Sequence, residues 1–185
     1  MAKDINKLGE FILSYEGGFA NDPDDSGGAT NKGVTLKTLK TIHLDKNKDG
    51  VVDIKDLKLL TNNDVIEKVL KPYFWDKVLA DKIQDEWVTY YIVDWFWNAG
   101  NNAIKRIQRI LNLKDDGQLG PKTLEAINSQ PPKRFFQFLY NSRIDYYKTI
   151  VNNKKSQKKF LNGWLRRANA IKYGVMINNQ GKEII

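Results

Sequence analysis

The sequence predicts a mainly α protein, on three observations. Apolar residues recur at steps of three and four along most of the chain, the period of a helix buried on one face. Neither the alternation of a β-meander nor a repeated strand–helix pattern appears. The 185 residues suit one domain, or one domain with a closely packed extension, and suffice to bury a real core.

Taken in order, Ile5, Leu8, Ile12, Tyr15 and Phe19 form the first apolar stripe. Asp4 stands where a cap is needed, and Gly17-Gly18 stops the helix, because glycine accepts the left-handed conformation in which helices end. Residues 20–33 crowd Asn, Asp, Pro, Ser and Gly and read as a loop, with a short hairpin over 29–34. Thr35 opens a second helix reaching about residue 44, and another covers about 54–60. Thr61 and Asp64 have the form of a capping box ahead of Val65, Ile66, Val69 and Leu70, a run that Pro72 should interrupt. Residues 86–98 are the most apolar segment and end at Asn98-Ala99-Gly100-Asn101. Helices should follow at about 101–112, 121–128, 132–151 and 156–171, with Pro121 suited to a first turn.

Composition narrows the chemistry. With no cysteine, disulfides, thiolate–zinc sites and cysteine nucleophiles are excluded, and the single histidine, His43, argues against histidine triads and multi-histidine metal sites. Hydrolytic chemistry must then rest on carboxylates and hydroxyls. The net charge of +8 is unevenly spread: residues 1–95 hold 13 Lys/Arg against 17 Asp/Glu, and residues 96–185 hold 17 against 5. An acidic half beside a strongly basic one points to an anionic polymer as partner, bacterial envelope or nucleic acid. No helix-turn-helix, RNA-binding or zinc signature supports nucleic acid, so that partner is not expected. No apolar run approaches the ~18 residues of a membrane span.

One carboxylate stands out. Glu16 lies at the last turn of an apolar helix between Tyr15 and Phe19. Apolar neighbours and the negative end of the helix dipole both favour the protonated acid, the form a glycosidase needs to protonate a leaving oxygen. The loop that follows sets Asp22, Asp24 and Asp25 within four positions, with Thr30 and Asn31 beyond them. A glutamate at a helix end and an aspartate in the next loop can form a two-carboxylate site, with a threonine hydroxyl to orient water. Asp22 and Asp24 read equally well as turn and capping residues.

Glu16-Gly17-Gly18-Phe19, followed by Asp22-Pro23-Asp24-Asp25-Ser26-Gly27-Gly28-Ala29-Thr30-Asn31-Lys32-Gly33-Val34-Thr35, resembles the signature of glycoside hydrolase family 108. Beyond residue 95, three stretches resemble the peptidoglycan-binding region paired with that family: Asn98-Ala99-Gly100, Asp116-Gly117-Gln118-Leu119-Gly120-Pro121, and Gly163-Trp164-Leu165-Arg166-Arg167. Arg143 and Tyr146-Tyr147 continue the same pattern. The resemblance implies a lysozyme-like helical fold with a short β-hairpin or loop near the active site. It implies a catalytic region over 1–95 and a basic peptidoglycan-binding region over 96–185. It further implies an N-acetylmuramidase that cuts the β-1,4 bond between N-acetylmuramic acid and N-acetylglucosamine. Glu16 would be the general acid, with Asp25, or else Asp22 or Asp24, as second carboxylate and Thr30 positioning water. Candidate substrate contacts are Asp22, Asn31, Trp95 and Asn98, with Trp97 weighed beside Trp95.

The partner implied is the glycan strand of peptidoglycan, bound by a monomer without insertion into a membrane. Met1-Ala2-Lys3-Asp4-Ile5 does not read as a secretory signal. The expected route is therefore synthesis in the cytoplasm and action on the wall after release, as for an endolysin, or after non-classical export. A catalytically silent wall-binding or secretion-regulating protein on the same scaffold is the competing reading.

A second motif stands apart. Asp45-Lys46-Asn47-Lys48-Asp49-Gly50-Val51-Val52-Asp53-Ile54-Lys55-Asp56 follows the calcium loop of an EF-hand. Asp45, Asn47, Asp49, Asp53 and Asp56 supply side-chain oxygens, Val51 a carbonyl, and Gly50 the turn. The expected role is a structural Ca2+ pinning a long connection, with no cofactor for catalysis.

Overall fold

The computed structural model describes residues 3–21 and 28–185. The first helix, α1 (Ile5–Tyr15), is capped by Asp4, whose side chain accepts from the Asn6 N–H, and ends at Glu16. Its stripe buries Leu8, Phe11 and Ile12. Gly9 lets it lie tight on a neighbour, for a Cβ there would come within 2.6 Å of Ile66.

The hairpin forms where the sequence placed it. Strands β1 (Thr30–Asn31) and β2 (Val34–Thr35) pair antiparallel, Thr30 opposite Thr35. Thr35 then caps α2 (Leu36–Thr41) by accepting from the Thr38 N–H. Helix α3 (Ile54–Lys58) starts in a capping box between Asp53 and Asp56, and α4 (Asn62–Val65) in one between Thr61 and Asp64.

Pro72 does not interrupt the next run. From Ile66 to Trp75 the chain continues as a wider, π-type helix with Pro72 inside it. Proline lacks the N–H and crowds the preceding turn of a normal α-helix, and local opening of the winding accommodates it.

Helix α5 (Glu86–Ala99) is the centre of the molecule, with Trp87 through Phe96 buried without a break. Around it pack α1, the helix Ile66–Trp75, α6 (Asn101–Ile110), α8 (Pro132–Asn153) and the strand β3 (Ile171–Lys172). Helix α7 (Pro121–Asn128) begins with proline in its first turn, as expected. Helix α9 (Lys158–Asn169) lies along α8. The chain closes with a hairpin the sequence did not suggest, β3 (Ile171–Lys172) with β4 (Val175–Met176), which also bonds to the terminal Ile184 and Ile185. The architecture is mainly α, with only these two short hairpins among the described residues.

Two apolar clusters result. The larger surrounds α5; the smaller joins the first hairpin, α2, α3 and α4 through Val34, Leu39, Leu57, Val65 and Val69. Phe74 and Trp97 pack against both clusters, their rings 4.6 Å apart. Glu16 is placed at this seam.

Candidate active site

Glu16 follows the last turn of α1, and its carboxylate meets two donors. Trp97 Nε1–H and Arg167 Nη1–H both donate to Oε1, each at 2.8 Å. The expected apolar surround is therefore not what the fold provides. Tyr15 turns its ring under the Arg167 guanidinium at 5.5 Å, and Phe19 is 40% exposed beneath the Lys58 ammonium.

The other oxygen, Oε2, faces the tip of the hairpin. Gly33 has φ +77, and a Cβ there would lie 2.8 Å from Oε2. Glycine is needed twice at this point, once for the left-handed backbone and once for room beside the carboxylate. The hairpin is tied back to the Glu16 segment, since the Lys32 N–H donates to Gly17 O, and Ala20 and Thr30 exchange a pair of backbone hydrogen bonds.

Behind Glu16 runs a buried chain of paired charges. Arg167 Nε and Nη2 donate to Asp94 Oδ1 at 3.0 and 2.8 Å, and Arg143 Nη2 lies 2.8 Å from Asp94 Oδ2. Arg143 Nε donates to the Tyr147 hydroxyl, which in turn donates to Asn98 Oδ1 at 2.6 Å. Asp94 is thus shared by two buried guanidiniums, as buried charges require. Burial works to raise the Asp94 carboxyl, but Arg167 and Arg143 outweigh it and hold Asp94 below the usual carboxylate range. Burial likewise opposes the charge on Arg167, and Asp94 with Glu16 overcomes it and raises Arg167 above its ordinary value.

The chain of contacts starts at Glu16 and returns at Asn98, and both line one cleft of about 370 Å³. Tyr15, Trp164, Phe160 and Arg167 also line it, so α1, the end of α5 and α9 each form part of the wall. Among the described residues on this wall, Glu16 is the one carboxylate.

The remaining candidates fall in different places. Asn98 stands on the cleft wall. Trp95 is fully buried, its ring 6.4 Å from that of Tyr146, and has no face open to a sugar. Two residues further, or roughly 200° around the helix, it is Trp97 that reaches Glu16. Asn31 is also buried: its amide donates to Leu57 O and holds β1 on α3. Thr30 is fixed in β1 and is not on the cleft wall. Asp22, Asp24 and Asp25 lie outside the described residues. Arg167 and Asp94 were missed as site residues; a lone aspartate within the most apolar segment was the signal for the second of them.

The loop over 45–56 is closed by its own hydrogen bonds. Asp45 accepts from the N–H groups of Lys48 and Gly50, Asn47 from Asp49, and Asp49 from Val51. Asp56 is buried and accepts from Lys46, Asn47 and Asp53, while Asp53 accepts from Lys55. No group of three or more His, Asp or Glu side chains that could hold a metal occurs among the described residues. Asp56 serves as a backbone clamp across the loop.

Residues 9–100 match the family model for glycosyl hydrolase 108. The chain belongs to that family. Residues 102–169 of this glycoside hydrolase match the model of a predicted peptidoglycan domain, so its function is lysozyme-like and directed to peptidoglycan. The structure of Brucella abortus SagA is similar, with 27% identity and a TM-score of 0.66 over 90% of this chain and 94% of that one. No curated protein sequence matches the chain. The two matched regions of the hydrolase meet at Gly100, yet the contacts from Glu16 through Arg167 to Asp94 cross that boundary twice. No helix among the described residues is long and apolar enough to cross a membrane.

Proposed function

We propose that this glycoside hydrolase is an N-acetylmuramidase that cuts the β-1,4 bond following N-acetylmuramic acid, with Glu16 as general acid. The observation that carries this reading is the placement of Glu16, a carboxylate on the wall of a cleft shared with the predicted peptidoglycan domain. Oε1 is engaged by Trp97 and Arg167, and no described residue donates to Oε2. Oε2 is then the oxygen that carries the proton and delivers it to the glycosidic oxygen, while the two donors fix the plane of the carboxyl group. A positioned acid of this kind contributes roughly 10²–10⁴ in rate.

The second carboxylate comes from the loop between Ala20 and Thr30, whose two ends are joined by backbone pairing next to Glu16. Asp25, Asp22 and Asp24 are its candidates. A carboxylate about 5 Å from Glu16 would act as nucleophile or charge stabiliser, and one further away would activate water from the opposite face. Neither role needs a cofactor.

The test is to digest purified sacculi, reduce the new chain ends with borohydride and identify the reduced sugar. Muramitol supports the proposal. Glucosaminitol would make the enzyme a glucosaminidase. Binding to sacculi without new reducing ends would leave a wall-binding protein on a hydrolase scaffold.

A further inference from the structure

The wall of the Glu16 cleft formed by α9 has features that internal packing does not require. Phe160 and Trp164, one turn apart, stack with ring centres 5.9 Å apart and planes 28° apart. Trp164 stacks in turn on Tyr147, at 5.3 Å and 29°. The three rings grade from Tyr147 in the core, through half-buried Trp164, to Phe160, which is 45% exposed on the cleft. Tyr147 is itself fixed by Arg143 and Asn98, so the exposed end of the stack rests on a rigid base.

Gly163 lies beside this stack on the same wall, inside α9. Glycine is a poor residue for a helix interior. A Cβ at Gly163 would meet nothing within 4 Å, so no neighbour in the protein demands the missing side chain. The bare helix surface there leaves room for a ligand to approach closely. Lys159 and Arg166 also line the cleft, exposed, the Lys159 ammonium lying 5.0 Å from the centre of the Phe160 ring, and neither has an ion-pair partner among the described residues.

We infer that this face of α9 is a subsite for an acidic N-acetylated sugar. The sugar ring lies against the exposed Phe160 end of the stack, over Gly163, and a carboxylate carried on the sugar's 3-O side arm pairs with Lys159 or Arg166. The carboxylate belongs either to the lactyl arm itself or to a peptide attached to it. On this account the C-terminal region selects the carboxylate-bearing sugar next to the acid of the N-terminal region. The inference rests on reading the Glu16 cleft as the glycan site.

Binding is measured with full-length Glu16→Gln protein, to prevent turnover, by tryptophan fluorescence or calorimetry. Three ligands are compared: chitotetraose, which has no carboxylate, the free-lactyl tetrasaccharide of alternating N-acetylglucosamine and N-acetylmuramic acid, and the same tetrasaccharide bearing peptides. At least one acidic ligand should bind more tightly than chitotetraose at low salt and lose that margin at high salt. Whichever acidic ligand shows the margin identifies the source of the carboxylate.

The double substitution Lys159→Gln/Arg166→Gln should abolish the margin, and Phe160→Ala should weaken all three ligands. Gly163→Ala gives the sharpest reading: its melting temperature should rise while its glycan affinity falls roughly tenfold or more, as one misplaced methyl can cause. Affinities unchanged in these variants would overturn the subsite, even if the parent enzyme proved a muramidase. Reduced affinities in a protein whose Glu16→Gln form still cleaves glycan would keep the subsite and remove Glu16 as the acid.

Discussion

Arg167 Nη1 donates to Glu16 Oε1 at 2.8 Å, joining two residues 151 positions apart. The same guanidinium grips Asp94 through Nε and Nη2. One planar fork thus sets the candidate acid relative to the central helix, a geometry that a lysine ammonium cannot reproduce. Arg167→Lys is expected to lower kcat by roughly 10²-fold, the scale set by small misplacements of catalytic groups, with a smaller change in KM. Steady-state kinetics on soluble glycan fragments measure both. Wild-type kcat in this variant would show that Arg167 does not position Glu16.

Asp94 carries the charge balance of the interior. Asp94→Asn leaves Arg143 and Arg167 buried without their shared counter-charge, which should cost about 3–5 kcal/mol in urea unfolding at neutral pH. The pH dependence has a definite sign. Despite its burial, Asp94 is held below the usual range by its two arginines. Its contribution is therefore fully present above the unfolded value of about 3.9 and is lost as pH falls through the lower folded value. The stability gap between wild type and Asp94→Asn should be widest near neutrality and shrink below about pH 4. A gap that stays constant down to pH 2 would mean Asp94 is not held ionised by its partners.

Gly33 touches the other oxygen of Glu16. Gly33→Ala forces a side chain onto a backbone with φ +77 and brings a methyl carbon to within 2.8 Å of Oε2. The expected result is a stability loss of more than about 1 kcal/mol together with a loss of activity as the carboxylate is displaced. Gly174→Ala is the control: φ is +101 there, and a Cβ would meet nothing within 4 Å. It should lose stability and keep activity.

In the loop over 45–56, Asp56 accepts three backbone N–H groups. Asp56→Asn should therefore melt at a lower temperature than wild type in chelator. Equal melting in chelator, with a difference only in millimolar calcium, would restore the chelating role that the spacing suggests.

The fold was legible in the sequence wherever local chemistry decides. The Thr61/Asp64 capping box, the Thr35 cap and the start of α7 at Pro121 all appear where the residues put them. The sequence failed where non-local packing decides. Helix α5 is buried on every side, so its sequence has no polar stripe to show which face meets Glu16, and Trp95 could not be told from Trp97. Arg167 belongs to a motif visible in the sequence, but its contact spans most of the chain, and nothing local points to it. The calcium-type spacing sets the same oxygens that accept the loop's backbone N–H groups. Pro72 was judged by α-helical rules, which a wider winding escapes.

Glu16 is proposed as the acid of a peptidoglycan glycosidase. The most direct measurement compares muropeptide release from purified sacculi by wild type and by Glu16→Gln, with circular dichroism to verify that both are folded. Glutamine keeps an oxygen for Trp97 and Arg167 but has no carboxyl proton to give. Wild type should generate new reducing-end muramic acid, and the variant should be slower by roughly 10²-fold or more. Equal rates from the two proteins would contradict this assignment and move the acid elsewhere in the cleft.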